Sequence, residues 1–314
     1  RHLDSLGFKV KDSTKRPQQL QKLSLRGNFS VNLTEKAVLT LNTGWVGSTT
    51  NITFNDNTQY SAVRLGYLGS AVRPESNAYD PSIWYAQRGP EILFAEDFYK
   101  EVGRYTVSAR LEWSPLSWLA VRGVAGMDQI RLDEGDSWPE DLFPDYQAAG
   151  RGLVKELTRQ QTVDLGATAT FSPFPSLRSE TSVGAQFLRE HRHAFAATGL
   201  QIAGGVESIG AATERYIGEA TSESRTLGVF LEEQLSWNDR LFLTGAVRLD
   251  DNSAFGKNFD AIIYPKFSAS WHLSQEDWFP ELPGLDQLRL RTAWGWSGLQ
   301  PEANAAVLSF RPQL

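Results

Sequence analysis

Two histidines flank an arginine at His191-Arg192-His193, the one place in the sequence where imidazoles stand close enough together to suggest a metal. A zinc-type site needs three or four such ligands in fixed geometry. On a strand these two rings share a face, with no carboxylate placed beside them by the sequence, so no metal site is expected. The run Asp250-Asp251-Asn252-Ser253 offers oxygen ligands for calcium but lacks the spaced ligands of a dedicated loop, and it reads as a turn. Asp133, Glu134, Asp136, Glu140, Asp141 and Asp145 could bind cations or repel anions, although a solvated loop is the simpler reading. With 0 cysteines there is no thiolate nucleophile, disulfide or zinc-thiolate centre. No nucleophile, base and orienting group converge elsewhere, so neither an enzymatic activity nor a cofactor is expected.

Stacking is the other chemistry on offer. Tyr60, Tyr67, Tyr79, Trp84 and Tyr85 lie in a polar stretch from Gly47 to about Glu101 that has no sustained periodicity. Aromatic rings stack on the apolar faces of sugars and peptides, and long loops commonly carry binding function. Tyr79, Trp84 and Tyr85 are therefore the expected substrate contacts, and the alternative is that they pack this loop on itself.

The elements that would position such a loop are strands. From Arg225 to Trp271 the pattern has period two: Leu227, Val229, Leu231, Leu235 and Trp237 alternate with polar neighbours, Asn238-Asp239 forms a turn, and Leu241, Leu243, Val247 and Leu249 follow. Successive strand residues point to opposite faces, so this is a hairpin with one apolar and one polar side. The same alternation marks Leu23 to Leu33, Leu39 to Trp45, Tyr105 to Trp113, Leu119 to Met127, Val163 to Phe171, Val183 to Phe187, Phe267 to Leu273 and Leu288 to Trp296, about ten strands in all. Between them, tight turns at Thr34-Glu35-Lys36, Ser114-Pro115-Leu116, Ser172-Pro173-Phe174-Pro175 and Asn238-Asp239 take turns with long polar segments. Those segments are expected to be loops at 47–101, 131–159, 191–222 and 251–261, and the connection from Ser274 to Asp286, holding Pro280 and Pro283, reads as irregular.

A net charge of -6 and a pI near 5.4 argue against a general nucleic-acid binder. No apolar run is long enough for a transmembrane helix, but barrel strands need only about ten residues with alternate ones apolar, so weak hydropathy does not exclude them. The N-terminus, Arg1-His2-Leu3-Asp4, lacks an initiator Met or a signal core and reads as the middle of a longer protein.

In an antiparallel meander, alternate connections share one end of the sheet. All the tight turns then fall at one end and all the long segments at the other, the arrangement of outer-membrane barrels. On the apolar face Trp113, Phe171, Trp237 and Trp271 fall near the tight-turn end, and Trp45, Trp294 and Trp296 near the other. Two aromatic girdles around a band of Leu, Val and Ala are expected, with outer-membrane lipid against the band. Arg26, Asn28, Arg110, Arg122, Asp164, Gln234, Arg248, Arg289 and Arg291 occupy the opposite face, where a lumen supplies water or partners. Glu233 is a blemish on the apolar face, made tolerable in this reading by its closeness to the turn. The fold class is thus all-β, an antiparallel up-and-down transmembrane β-barrel, partial, with about ten strands of a larger barrel. A soluble carbohydrate-binding β-sandwich, whose strands also alternate, is the alternative.

Several stretches resemble TonB-dependent outer-membrane receptors: Leu227-Gly228-Val229-Phe230-Leu231-Glu232-Glu233, Asp239 to Thr244, Arg248-Leu249-Asp250 with Ser253 to Lys257, Tyr264 to Trp271, and Leu288-Arg289-Leu290-Arg291 with Trp294-Gly295. The Arg-x-Asp and Phe-Gly-Lys pair, Leu25-Arg26-Gly27-Asn28, and Trp118-Leu119 to Gly126-Met127-Asp128 are most similar to the SusC/RagA-like branch, in the C-terminal part of the barrel. The resemblance implies a barrel of about 22 strands with an N-terminal plug, and an inner-membrane TonB complex that contacts a short box near the N-terminus. Residues 1–314 would form part of a single outer-membrane β-barrel domain, with plug and final strands lying outside this chain. The resemblance also implies import of a large nutrient, such as an oligosaccharide, a peptide or a metal chelate, and a surface SusD-like lipoprotein as partner. A passive porin or barrel-type adhesin is the competing function.

Overall fold

The computed structural model describes residues 19–52, 97–138, 149–203, 206, 208–255, 261–280 and 282–298. They form one ten-stranded sheet in which every strand pairs with its neighbours in sequence: β1 (Gln19–Thr34), β2 (Ala37–Asn51), β3 (Asp97–Leu116), β4 (Leu119–Trp138), β5 (Ala149–Phe174), β6 (Leu177–Ile202), β7 (Ala212–Trp237), β8 (Leu241–Asn252), β9 (Ile262–His272) and β10 (Arg289–Gly295). All nine pairings are antiparallel. No second layer covers the sheet among the described residues, and Leu25, Phe29, Leu165, Leu231 and Leu290 stay exposed. A sandwich would bury these side chains, so the two-layer alternative is not met.

Sequence explains the turns. Asn238 and Asp239 both take positive φ, 49° and 53°, and the Arg240 N–H donates to Trp237 O at 3.0 Å. Two left-handed residues at the centre of the Trp237–Arg240 turn match the right-handed twist of the flanking strands, and Asn and Asp tolerate that region best among residues with a side chain. Glu35-Lys36, Ser117-Trp118 and Pro175-Ser176 close the other three tight hairpins. The ninth-to-tenth connection is longer and opens with a single 3-10 turn at Leu273–Gln275.

The expected long loops need correction. β4 continues to Trp138 and β5 begins at Ala149, while β6 runs to Ile202 and β7 begins at Ala212, so most of 131–159 and 191–222 is strand. The cause is physical: alternation records unlike solvents on the two faces, and it vanishes where both faces are polar, although the backbone ladder continues. Likewise Asp250, Asp251 and Asn252 end β8 and are not a loop; Asn252 Oδ1 accepts from the Ala254 N–H at 2.7 Å to start the 3-10 turn Ser253–Phe255.

The central strands β5, β6 and β7 have 26 residues each. At about 3.3 Å per residue each spans roughly 86 Å, far more than a bilayer crossing at a tilt of about 40° requires.

Candidate functional site

Register converts the alternation into two continuous surfaces. One row of directly paired residues runs Leu39, Leu111, Gly123, Leu165, Ala185, Val229, Leu249, Ile263, crossing β2 to β9 without a charge. The next row on that face runs Leu41, Ala109, Ala125, Val163, Phe187, Leu227. In β7 the apolar stretch extends from Trp237 to Leu227, about 33 Å along the strand and about 25 Å in height once tilted. Trp113 and Phe171 lie toward the tight-turn end, with Trp118 stacked on Phe171 at 5.2 Å. At the same end Trp237, Leu241, Trp271 and Leu290 form one row. Trp45 pairs with Tyr105 toward the opposite end, and Trp294 and Trp296 lie 6.0 Å apart, with Trp296 just beyond β10.

Glu233 interrupts this surface. It lies four residues from Trp237, about 13 Å along the strand and roughly 10 Å in height, well inside the band. Proximity to the turn therefore does not account for it. Two hydroxyls from β6 do: Ser179 Oγ donates to one carboxylate oxygen at 2.5 Å and Thr181 Oγ1 to the other at 2.6 Å.

The opposite face is polar and cross-linked. Arg104 holds Asp128 through two of its nitrogens, Nε donating to one carboxylate oxygen at 3.0 Å and a terminal nitrogen to the other. Arg248 Nε donates to Asp250 at 2.7 Å while its terminal nitrogen reaches Gln186 at 3.0 Å, so one guanidinium ties β6 to β8. Lys266 pairs with Glu232 at 3.1 Å, and Arg289 Nε donates to Ser270 Oγ at 2.7 Å. Phe230 lies across Gly184, where an added Cβ would meet the ring at 2.5 Å and the Leu165 carbonyl oxygen at 2.8 Å.

Beyond the apolar band, the long-segment end of the sheet is charged on both sides. Arg192 makes a bidentate pair with Glu156 at 2.9 and 2.7 Å and holds the Glu156 carboxyl below the usual range. Glu223 accepts from Arg189 at 2.8 Å and Arg225 at 2.5 Å, which lowers its carboxyl to about 2. Burial, reinforced by Glu134, pushes Asp136 up.

His193 Nε2 lies 2.8 Å from Glu219, supplying the carboxylate that the sequence alone did not place, and His191 pairs across from Glu223. No cluster of three metal ligands forms among the described residues. Tyr79, Trp84 and Tyr85, with Tyr60 and Tyr67, lie outside the described residues, as do Glu140, Asp141 and Asp145. Missed by the sequence reading was the order within the connection after β9. There Trp271 Nε1 donates to Glu276 at 2.8 Å, Arg240 reaches Asp277 at 3.3 Å, and the Trp278 ring sits 6.2 Å from Trp271. The usable signal was Glu276-Asp277-Trp278 just past the end of β9, acids and a ring within reach of Arg240, which closes the β7–β8 turn at the same end of the sheet.

Comparison with known proteins fits this two-faced sheet. The family described as "TonB dependent receptor-like, beta-barrel" matches residues 24–313. No curated protein matches by sequence. Among solved structures, the RagAB peptide transporter superposes with a TM-score of 0.74 at 14% identity, covering 89% of this chain and 33% of that one. The RagAB peptide importer in its "open-open" state gives 0.73 at 14%, covering 88% and 32%. The ferric citrate transporter FecA in the unliganded form gives 0.52 at 11%, covering 82% and 34%. The chain thus spans about a third of the length of the structures it matches, and at these identities the likeness is one of fold. It is an outer-membrane sheet, and the chain belongs to the TonB-dependent receptor β-barrel family.

Proposed function

We propose that this chain forms part of the wall of a single transmembrane barrel that imports a large nutrient, an oligosaccharide, peptide or metal chelate, with energy from the TonB complex. The observation that carries this reading is the joint polarity of the sheet: tight turns at one end, long extended strands at the other, an apolar band on one face and a charged lining on the reverse. Lipid bathes the band, and Trp45, Trp113, Phe171, Trp237, Trp271, Trp294 and Trp296 mark its borders. Amphipathic rings favour such interfaces. The edges β1 and β10 have backbone groups that hydrocarbon cannot satisfy, so further strands of the same barrel pair with them.

Tyr79, Trp84 and Tyr85 contact substrate at the extracellular mouth, and a surface SusD-like lipoprotein assists capture there. Peptides are the first substrates to test, because the superpositions of highest score cited above are with a structure named as a peptide transporter. The test is uptake of labelled oligopeptides, oligosaccharides and ferric chelates by cells expressing the full-length receptor, with and without a working TonB system. Loss of uptake of one class when TonB is removed supports import. Uptake that persists unchanged is the behaviour of a passive porin. Replacing Trp84 and Tyr85 together with Ala should weaken ligand affinity, and unchanged affinity removes them from the site.

A further inference from the structure

The polar face of β2 to β9, the strands with a neighbour on each side, satisfies most of its own charges. Between the tight turns and the Arg104–Asp128 pair, Arg178 closes on Glu180, Arg248 on Asp250, Lys266 on Glu232, and Arg110 on Glu112 at 3.8 Å. Two charges on that stretch stand apart. Arg122 on β4 and Asp164 on β5 make no hydrogen bond or ion pair with any described residue. They are close neighbours all the same. Arg122 pairs directly with Gly166, two residues along β5 from Asp164, and its partner on the other side is Glu112, the acid that Arg110 engages. Diagonal neighbours of this kind have Cβ atoms about 7 Å apart.

Between the two charges lies a floor without side chains. Gly166 pairs with Gly184, and a Cβ added at Gly166 would meet only the Val183 carbonyl oxygen, at 3.6 Å, so the space above it is open. The Phe230 ring, lying across Gly184, bounds this opening on the far side from Arg122. Toward the tight turn it is bounded by the hydroxyls of Thr168 and Ser182, 2.8 Å apart. The opening lies within the height of the apolar band, level with Leu165 and Ala185 on the reverse face.

A guanidinium only donates hydrogen bonds and an ionised carboxylate only accepts them. Side by side and unpaired, they suit a ligand whose donors and acceptors are separate groups. A peptide backbone is such a ligand: along one edge of an extended chain, N–H and C=O groups form unlike pairs that repeat at about 6.6 Å, a step that the two side chains bracket. A sugar hydroxyl both donates and accepts, so it has no need of an unlike pair. The bare glycine allows the backbone to come close, and the ring offers an apolar side chain a place to pack.

We infer that Arg122, Asp164, Gly166 and Phe230 form a station on the lumen wall for the extended backbone of a peptide in transit. Arg122 donates to a carbonyl oxygen, Asp164 accepts from a neighbouring N–H, and a side chain of the peptide packs on Phe230. This station rests on the reading that the polar face lines an import path, and it narrows the cargo to peptides. It reads backbone, so peptides of differing sequence share it.

The test measures uptake of fluorescein-labelled hexa-alanine by cells expressing the full-length receptor, beside the same peptide methylated at its backbone nitrogens and labelled maltohexaose. Losing a hydrogen bond to a charged group weakens binding about tenfold. Arg122→Met and Asp164→Leu should therefore each raise the half-saturation concentration for hexa-alanine about tenfold, while Arg122→Lys, which keeps a donor, should raise it less than about threefold. Methylation should weaken uptake by the wild type about tenfold and make no difference to Asp164→Leu, where the acceptor it defeats is already gone. Unaltered half-saturation in both variants, or an equal methylation penalty with and without Asp164, overturns the station. Maltohexaose uptake weakened as much as peptide uptake overturns the assignment to backbone. Occupancy is also read without transport: in the purified full-length receptor, hexa-alanine should slow modification of Gly166→Cys by a methanethiosulfonate reagent, and the methylated peptide should not. Absence of that protection overturns the station by itself, whereas wild-type uptake that is independent of TonB overturns the import reading.

Discussion

Glu233 offers the sharpest energetic test of which solvent the apolar face meets. Its carboxylate sits among Leu231, Leu235 and Gly245 on that face, and both its oxygens are taken by hydroxyls, Ser179 at 2.5 Å and Thr181 at 2.6 Å. Hydrogen bonds to a charged group contribute about 1.5 to 3 kcal/mol each where water cannot replace them, and much less where it can. Thr181→Val should accordingly cost about 2 kcal/mol, and the double change with Ser179→Ala about 3 to 5 kcal/mol. Glu233→Leu should be neutral or stabilising, because it removes the group that needed solvating. In the Glu233→Leu background, Thr181→Val should then cost no more than about 0.5 kcal/mol, so the two positions couple strongly. The assay is urea-dependent folding of the full-length receptor into phosphatidylcholine vesicles, followed by tryptophan fluorescence. The reasoning is refuted if Thr181→Val costs less than about 0.5 kcal/mol with Glu233 present, or costs the same whether or not Glu233 is there.

Three further outcomes are expected. Gly184→Ala should lower stability by about 1 to 3 kcal/mol, since its Cβ would strike both Phe230 and the Leu165 carbonyl; a thermal melt of the full-length receptor checks this. Glu223 has a folded value of about 2 against an ordinary 4.5, so its pairing contributes in full above the ordinary value and is lost progressively as pH falls from there through about 2. NMR titration of the Glu223 carboxyl should show that value rising toward the ordinary one in Arg225→Gln. Asp239→Gly should stabilise the β7–β8 hairpin by up to about 1 kcal/mol, because φ of 53° is free of cost for glycine, and Asp239→Val should destabilise it in the same unfolding assay.

Strands were legible in the sequence where water and an apolar environment meet opposite sides of the chain. Leu227 to Trp237 announces both its faces and its turn, and so does Val163 to Phe171. Above the band the signal fails for a definite reason. Leu188-Arg189-Glu190-His191-Arg192-His193 has polar residues at both parities, although it continues β6 without a break. Its order comes from the backbone ladder and from pairs such as Arg192 with Glu156, 36 residues away. Such pairs become readable only once register is known. Register between β6 and β7 is set across a long connection and not by a tight turn, which is why the partners of Glu233, 52 and 54 residues away, could not be named in advance. The family resemblance was carried by strand patterns that are themselves consequences of the two solvents, so it identified the barrel without identifying the cargo.

The central claim is that the two sides of this sheet meet different solvents. The chain has 0 cysteines, so single cysteines can be placed along β7 of the full-length receptor and spin-labelled without background. In lipid bilayers, labels at positions 227, 229, 231 and 235 should be accessible to oxygen and shielded from a water-soluble nickel chelate. Labels at 228, 230, 232 and 234 should lack that oxygen accessibility. A period-two oscillation in oxygen access with maxima at the odd positions is the predicted result; equal access at both parities, or maxima at the even ones, would contradict it.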